Sequence, residues 1–269
     1  MGLRVTGLKG EKMKTVIFLL LLLSLYAFDA FAVDEKKVVD MTYPFSEEMM
    51  HWPTAQPFKL EKANEGMTPQ GYWYASYNFS ASEHVGTHMD APFHFAQGKW
   101  TTDQVPLSRT IGQGVVVDVR DKAAADAGYQ LQVADLRAWE KRHGAIPAGA
   151  IVLMHSGWGK FWGDRKRFFG TDQPGDVTNL RFPGVSKEAA EFLINERKVA
   201  AVGTDTPSID YGASRDFIVH QILGRANIPI FENVAGLDRL PPKGATVFAA
   251  PMKIRGGSGA PLRIFALLP

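Results

Sequence analysis

His84-Val85-Gly86-Thr87-His88-Met89-Asp90-Ala91-Pro92-Phe93-His94 gathers three imidazoles and a carboxylate into one short stretch of chain. His84 and His88 offer neutral ring nitrogens and Asp90 an oxygen, ligand types that suit Zn²⁺ or Mn²⁺. A His-x-x-x-His pair would share one face of a helix, but Gly86, Asp90 and Pro92 argue against a regular helix here. The expectation is a bent loop that turns the three side chains inward, with Gly86 permitting close backbone approach. Three protein ligands leave positions for water or substrate, which marks a catalytic rather than a structural site. His94 follows beyond the triplet, placed to move a proton to or from a bound water. The chain has no cysteine, so thiolate sites and disulfides are excluded and any metal must use His, Asp, Glu and water.

Outward from this segment, the pattern alternates short apolar strands with helical stretches. Val38–Thr42 reads as a first strand, followed by Pro-punctuated chain through Trp52-Pro53, and Tyr72–Phe79 reads as extended. Gly114–Val119 and Ala150–Met154 are β-branched or apolar runs typical of buried strands. Between them Gln132–His143 has helical spacing in Val133, Leu136 and Trp139, stopped by Gly144. Residues 159–181 read as a long loop or lid. Ser186 caps a further helix with Phe192 and Leu193 on its inner face. Val199–Val202 and Ile228–Glu232 read as strands flanking a helix at Asp216–Arg225, and Gly244–Met252 and Leu262–Leu267 as the last two strands. The fold class expected is one α/β domain with a mixed sheet or two packed sheets.

Residues 14–32 read as a secretory signal: Lys14, an apolar run from Val16 to Leu25, and Ala30-Phe31-Ala32 as the cleavage site. The run is too short to span a bilayer comfortably, so the segment is expected to be removed and to leave no stable membrane insertion. The domain expectation is therefore a signal over 1–32 and one hydrolase domain over 33–269, in the periplasm or outside the cell. The whole chain carries a net charge of +2, and the four basic and two acidic groups of residues 1–32 account for that excess. With zero net charge in the mature chain, nucleic-acid binding has no electrostatic support.

The His-rich stretch matches H-x-G-T-H-x-D-x-P-x-H, and on it the chain resembles the cyclase family of metal-dependent hydrolases. That family includes bacterial kynurenine formamidase (arylformamidase) and isatin hydrolase. Further blocks follow in the family's order: Asp40-Met41-Thr42 with Trp52-Pro53, His155-Ser156-Gly157-Trp158, Phe182-Pro183-Gly184-Val185-Ser186 and Gly203-Thr204-Asp205-Thr206-Pro207-Ser208. Glu232-Asn233-Val234 and Gly259-Ala260-Pro261-Leu262-Arg263 complete the series. The resemblance implies a swivelling β/β/α fold, commonly a homodimer. It implies His84, His88 and Asp90 as ligands of a first metal and His94 as the acid/base. His220 and Glu232, twelve residues apart, stand where the formamidases hold a second metal with the bridging Asp.

The resemblance also implies the reaction. One or two divalent ions, Zn or Mn, generate a hydroxide that attacks an activated amide, and His94 passes a proton to the leaving nitrogen. The substrate expected is a small aromatic amide or cyclic amide, with Trp52, Phe93 and Trp158 as its aromatic walls. The export signal and the length of 159–181 favour a cyclic substrate of the isatin kind over N-formylkynurenine. Two alternatives stay open on sequence alone: action on a lactone or another cyclic substrate, and a periplasmic metal- or ligand-binding protein without turnover. His51 and His143 read as surface or packing residues. Asp205 reads as a structural turn carboxylate, and His155 as a packing residue or a contact behind the site.

Overall fold

A computed structural model describes residues 33–269; the signal read at 1–32 lies outside the described residues. The chain divides into two compact units, Met1–Val38 and Val39–Pro269. Of the first, the described part is a 3-10 turn at Glu35–Lys37, begun by the Asp34 carboxylate accepting from the Lys36 amide.

In chain order the strands are β1 (Val38–Asp40), β2 (Lys59–Met67), β3 (Trp73–Ser80), β4 (His88–Asp90), β5 (Ile111–Asp118), β6 (Gln130–Leu131), β7 (Ile151–His155), β8 (Gly184–Val185), β9 (Ala201–Thr204), β10 (Ile230–Glu232), β11 (Lys243–Pro251) and β12 (Gly259–Leu267). The helices are α1 (Arg120–Ala125), α2 (Val133–His143), α3 (Arg165–Phe169), α4 (Lys187–Asn195) and α5 (Ile218–Arg225). β5, β7, β9 and β10 run parallel, with Val116 opposite Leu153 and Leu153 opposite Gly203. β11 joins β5 antiparallel and β12 joins β11. β4 then pairs antiparallel with both β10 and the start of β12, so the sheet closes on itself like a barrel. Closure leaves no open edge between β10 and β12.

Strand alternation sorts the side chains into two cores. Met89, Val116, Ile151, Leu153, Phe231, Val247 and Ile264 fill the inside of the closed sheet. Val115, Val117, Val152, Met154 and Val202 face outward, where Leu136 and Trp139 of α2, Phe192 and Leu193 of α4, and Val219 and Leu223 of α5 cover them. The Trp139 indole also donates to the Val116 carbonyl at 2.9 Å, so its polar atom is satisfied in the core. Burying a large apolar side chain of this kind stabilises by about 1.5–3 kcal/mol relative to exposure.

The helix signals act as read. Gln132 and Asp135 form a capping box at the start of α2, and Gly144 follows its last turn. Ser186 accepts from the Ala189 amide at 3.1 Å to start α4. The helix expected from Asp216 starts only at Ile218, because Phe217 sits in the left-handed region at φ 50°. Residues 159–181 contain α3, and Phe168 and Phe169 are buried with Trp158, Leu180 and Phe182 in a third apolar cluster. This segment is thus pinned at its middle rather than a free lid. β2 and β3 form a separate hairpin in which Leu60, Trp73, Tyr74, Tyr77 and Phe79 stay exposed. β2 was invisible to pattern reading because its Lys59, Glu61, Lys62 and Glu65 break any apolar alternation.

Candidate metal centre and active site

His88 and Asp90 lie in β4, not in the irregular loop expected from sequence, because its backbone groups pair with β10 and β12. Met89 points into the closed sheet, and so does Phe231 of β10. Alternation by two therefore sends His88, Asp90 and Glu232 to the opposite face, toward α5. Register places Glu232 directly across from His88. His220, in the first turn of α5, faces the same point. His84 enters through the turn at Gly86, whose φ is +57° and where an added Cβ would lie 2.0 Å from the Met49 methyl. The positive φ favours glycine there, while the Met49 methyl, the end of a flexible side chain, could move aside.

The resulting centre has Asp90 in its middle. Asp90 Oδ1 lies 2.6 Å from His84 Nδ1 and 3.2 Å from His88 Nε2, while its Oδ2 lies 3.1 Å from His220 Nε2. Glu232 spans the far side, 3.4 Å from His88 Nε2 through Oε2 and 3.3 Å from His220 Nε2 through Oε1. Two overlapping donor groups follow, His84-His88-Asp90 and Asp90-His220-Glu232, each with its ligand atoms within 4.8 Å of one another. The outer ring nitrogens are engaged as well. His88 Nδ1 faces the Gly86 carbonyl at 2.9 Å and His220 Nδ1 faces Asp210 Oδ2 at 2.7 Å. Those acceptors hold the protons on Nδ1 and leave the Nε2 lone pairs facing the centre.

The electrostatics fit a cation. Burial opposes charge on His88, yet hydrogen bonds to Asp90 and Glu232 outweigh it and carry its pKa up to about 10. Burial likewise opposes charge on His220, but Asp210, Asp90 and Glu232 hold it well above the usual histidine range. Burial would keep Asp90 neutral, and the three histidines overcome it and hold the carboxyl well below the usual range. The centre thus gathers two buried carboxylates that need positive charge beside them. A divalent ion answers that need and leaves each imidazole free to donate a lone pair. The donor set is nitrogen and oxygen only, which suits Zn²⁺ or Mn²⁺.

His94 stands apart from the two donor groups. It ends a 3-10 turn at Pro92–His94, and its ring stacks on His84 with centroids 4.0 Å apart. His94 stays exposed as a whole, but partial loss of water where its ring packs on neighbouring rings, with the nearby positive charge of His84 and His220 adding to it, pushes its pKa down to about 4. The carboxylate of Asp90 works the other way without reversing the shift. His94 is therefore neutral near pH 7 and free to accept a proton.

These groups line a cavity of about 350 Å³ whose apolar wall is Trp52, Phe95, Phe169 and Phe217. Trp52 lines this cavity. Phe93 and Trp158 are not in this wall, which corrects two of the three aromatic assignments. Phe93 is 39% exposed on the outer side of the Pro92–His94 turn. Trp158 is buried in the third apolar cluster, its indole donating to the Phe168 carbonyl at 2.8 Å. His51, read as a packing residue, lines the cavity with its Nδ1 3.0 Å from the Trp52 carbonyl. Asp205 is the turn carboxylate expected, accepting from the Ser156 and Trp158 amides. His155 is buried and lines a different cavity, beside Tyr43 and Arg120.

Comparison with known proteins agrees with this geometry. The Cyclase family model matches residues 39–211. The chain belongs to the Cyclase family. Isatin hydrolase of Roseibium aggregatum is 37% identical over 195 residues, covering 70% of this chain and 72% of the relative. Kynurenine formamidase of Bacillus mycoides is 26% identical over 230 residues, covering 84% of this chain and 94% of the relative. Among solved structures, isatin hydrolase A from Ralstonia solanacearum superposes with a TM-score of 0.79 at 33% identity, covering 100% of both chains. An isatin hydrolase bound to the product analogue thioisatinate gives 0.79 at 29% identity, over 97% of this chain and 100% of the other. This Cyclase-family chain is a metal-dependent hydrolase of amide bonds, with a mixed α/β domain built on a barrel-like sheet.

Proposed function

We propose that the protein opens a small cyclic aryl amide of the isatin class by hydrolysis, with N-formyl arylamines as the second substrate class. The observation that carries this reading is the aromatic wall of Trp52, Phe95, Phe169 and Phe217 facing the Asp90-centred donor set across one cavity. A planar bicyclic substrate fills such a slot and directs its carbonyl to the ligands. The 37% identity to an isatin hydrolase supports the same choice.

When bound by these residues, a divalent cation supplies Lewis acidity and brings the pKa of a water from about 15.7 toward 7. The chain's own groups do the rest. The aromatic wall holds the substrate ring and excludes bulk water. His94, neutral and beside His84, takes the proton as the water oxygen bonds to the carbonyl carbon. It returns that proton to the amide nitrogen as the C–N bond breaks, which leaves a free amine and a carboxylic acid, and the acid then ionises by releasing the second water proton to solvent. Asp210 keeps the His220 proton on Nδ1 throughout.

Hydrolysis of isatin and of N-formylkynurenine by the purified protein, supplied with Mn²⁺ or Zn²⁺, tests the reading. A kcat/KM for isatin at least tenfold above that for the formamide is expected. The reverse order would make the protein an arylformamidase, and turnover of neither would defeat the substrate assignment. Which ion gives the higher turnover, and whether one or two bind per chain, is read in the same experiment. We propose Mn²⁺ or Zn²⁺ at the His84-His88-Asp90 group, with the second group filled as well.

Two further properties belong to this proposal. The first is export, supported by Lys14, the apolar run of Val16–Leu25 and Ala30-Phe31-Ala32. Among the described residues no helix is long and apolar enough to cross a membrane. Cell fractionation with N-terminal sequencing should find a periplasmic or secreted chain beginning near residue 33; an intact cytoplasmic chain would refute export. The second is a homodimer. It is supported by the β2–β3 hairpin, since an isolated two-stranded ribbon is marginal in water and this one exposes Trp73, Tyr74, Tyr77 and Phe79. Light scattering at micromolar protein should give twice the chain mass, and a monomer there would remove the dimer.

A further inference from the structure

His88 and His220 lean directly on a carbonyl and a carboxylate, but His84 is held differently. Its Nε2 lies 2.9 Å from the Ser258 hydroxyl. That hydroxyl lies 2.6 Å from Glu83 Oε2, which also accepts from the Ser258 amide at 2.9 Å and the Gly259 amide at 3.3 Å. Counting protons settles the directions. An ionised carboxylate only accepts, so the single Ser258 proton goes to Glu83, and Ser258 Oγ must then accept from His84 Nε2–H. The other nitrogen, Nδ1, faces Asp90 Oδ1 at 2.6 Å, where it donates when the ring is charged and offers its lone pair when an ion is bound. A doubly protonated ring satisfies both contacts without an ion; once an ion is held at this group the ring is neutral, and the Ser258 contact keeps its remaining proton on Nε2.

The chain is built to bring Ser258 this close. A Cβ on Gly259 would lie 2.5 Å from His84 Cε1, and one on Gly257 would lie 2.7 Å from Glu83 Oε1. The backbone of this Gly-Ser-Gly segment is fixed on its outer side. Thr102 donates its amide to the Gly257 carbonyl at 3.0 Å, and Ala91 donates to the Ser258 carbonyl at 2.9 Å. The segment joining β11 to β12 therefore closes over His84 from a point more than 170 residues along the chain.

We propose that Glu83 and Ser258 are positioning residues for the first metal group: through the relay Glu83–Ser258–His84 they fix the His84 proton on Nε2 and make Nδ1 the atom that binds the ion. The proposal rests on the metal-hydrolase reading only for the presence of an ion. Metal affinity is measured separately from isatin turnover, so failure of the substrate assignment leaves this inference standing or falling on its own.

The test titrates the metal-free full chain with Mn²⁺ in four variants. Ser258→Ala and Glu83→Ala should each weaken Mn²⁺ binding about 10–100-fold, the range for loss of a group that orients a ligand. The double variant should be no weaker than either single one, because both break the same relay. Ser258→Thr keeps the hydroxyl and should bind within about threefold of wild type. In the Zn²⁺-loaded wild type, nitrogen NMR should place the His84 proton on Nε2, and Ser258→Ala should lose that assignment. Wild-type affinity in Ser258→Ala and Glu83→Ala overturns the proposal. So does a loss of affinity with the His84 proton still fixed on Nε2. Equal losses of metal-free thermal stability and affinity that Ser258→Thr fails to restore would make the contact structural, and likewise overturn it.

Discussion

Asp90→Ala abolishes metal loading at both donor groups and lowers turnover by at least about 10³-fold. The carboxylate is the one side chain common to the two groups, with Oδ1 turned to His84 and His88 and Oδ2 to His220. Its loss takes an oxygen from each and removes half of the buried negative charge that attracts a cation. A bound ion supplies several kcal/mol of transition-state stabilisation, and each 1.4 kcal/mol is a factor of ten in rate. Glu232→Ala is the contrasting variant. It takes a ligand from the second group alone, so the first should still load. Metal content per chain, measured by plasma mass spectrometry, separates the two. Full occupancy in Asp90→Ala would refute the bridging assignment, and loss of both ions in Glu232→Ala would show that the groups do not fill independently.

The loss in Asp90→Ala is also one of stability in the metal-free protein. His88 owes its raised pKa partly to Asp90, and a histidine held above its unfolded value contributes stability that is complete below about pH 6.5 and declines as pH rises toward about 10. Asp90 itself is held well below its ordinary value, so its contribution is present above about pH 4 and fades as acid protonates it. The variant should thus differ most from wild type between those limits, near pH 5–6.

How much of this centre could be read in advance follows from where each residue's signal lies. His88 and Asp90 are two apart, which suffices for one face of a strand, and His84 needs only the turn that Gly86 announces. Those three were legible because their geometry is local. His220 and Glu232 carry no local sign of a metal, and only the family's spacing pointed to them. Asp210 was missed altogether. It lies ten residues before His220 in a buried turn, and its role becomes visible only when α5 packs above it. The cavity wall shows the same limit. Phe169 and Phe217 come from a short helix and from the left-handed residue before α5, and tertiary packing alone brings them together. Trp158 misled because an aromatic beside a family motif serves equally well as packing, and here its indole proton is taken by the Phe168 carbonyl. The closed sheet was also illegible. The parallel strands read as apolar runs, but closure depends on β4, three residues whose His and Asp content hides strand character.

His94→Ala keeps its metal and loses turnover by about 10²–10⁴-fold, the usual worth of a positioned acid/base. His94 makes no side-chain hydrogen bond among the described residues; its contacts are the rings of His84, Phe95 and His220. Removing it opens the cavity without exposing a partnered polar group, so stability should change little while chemistry suffers. The pH profile gives a second reading of the same role. With its pKa pushed down to about 4, His94 is neutral through most of the working range. The acid limb of wild-type kcat/KM that reports His94 should therefore lie nearer pH 4 than the 6.5 of an unperturbed imidazole. His94→Ala should lack that limb, and His94→Gln, which fills the space but cannot carry the proton, should behave as Ala does. Turnover within threefold of wild type in both variants, with metal bound, would remove His94 from the reaction and pass the proton to another group, of which His51 at the cavity wall is the nearest candidate by type.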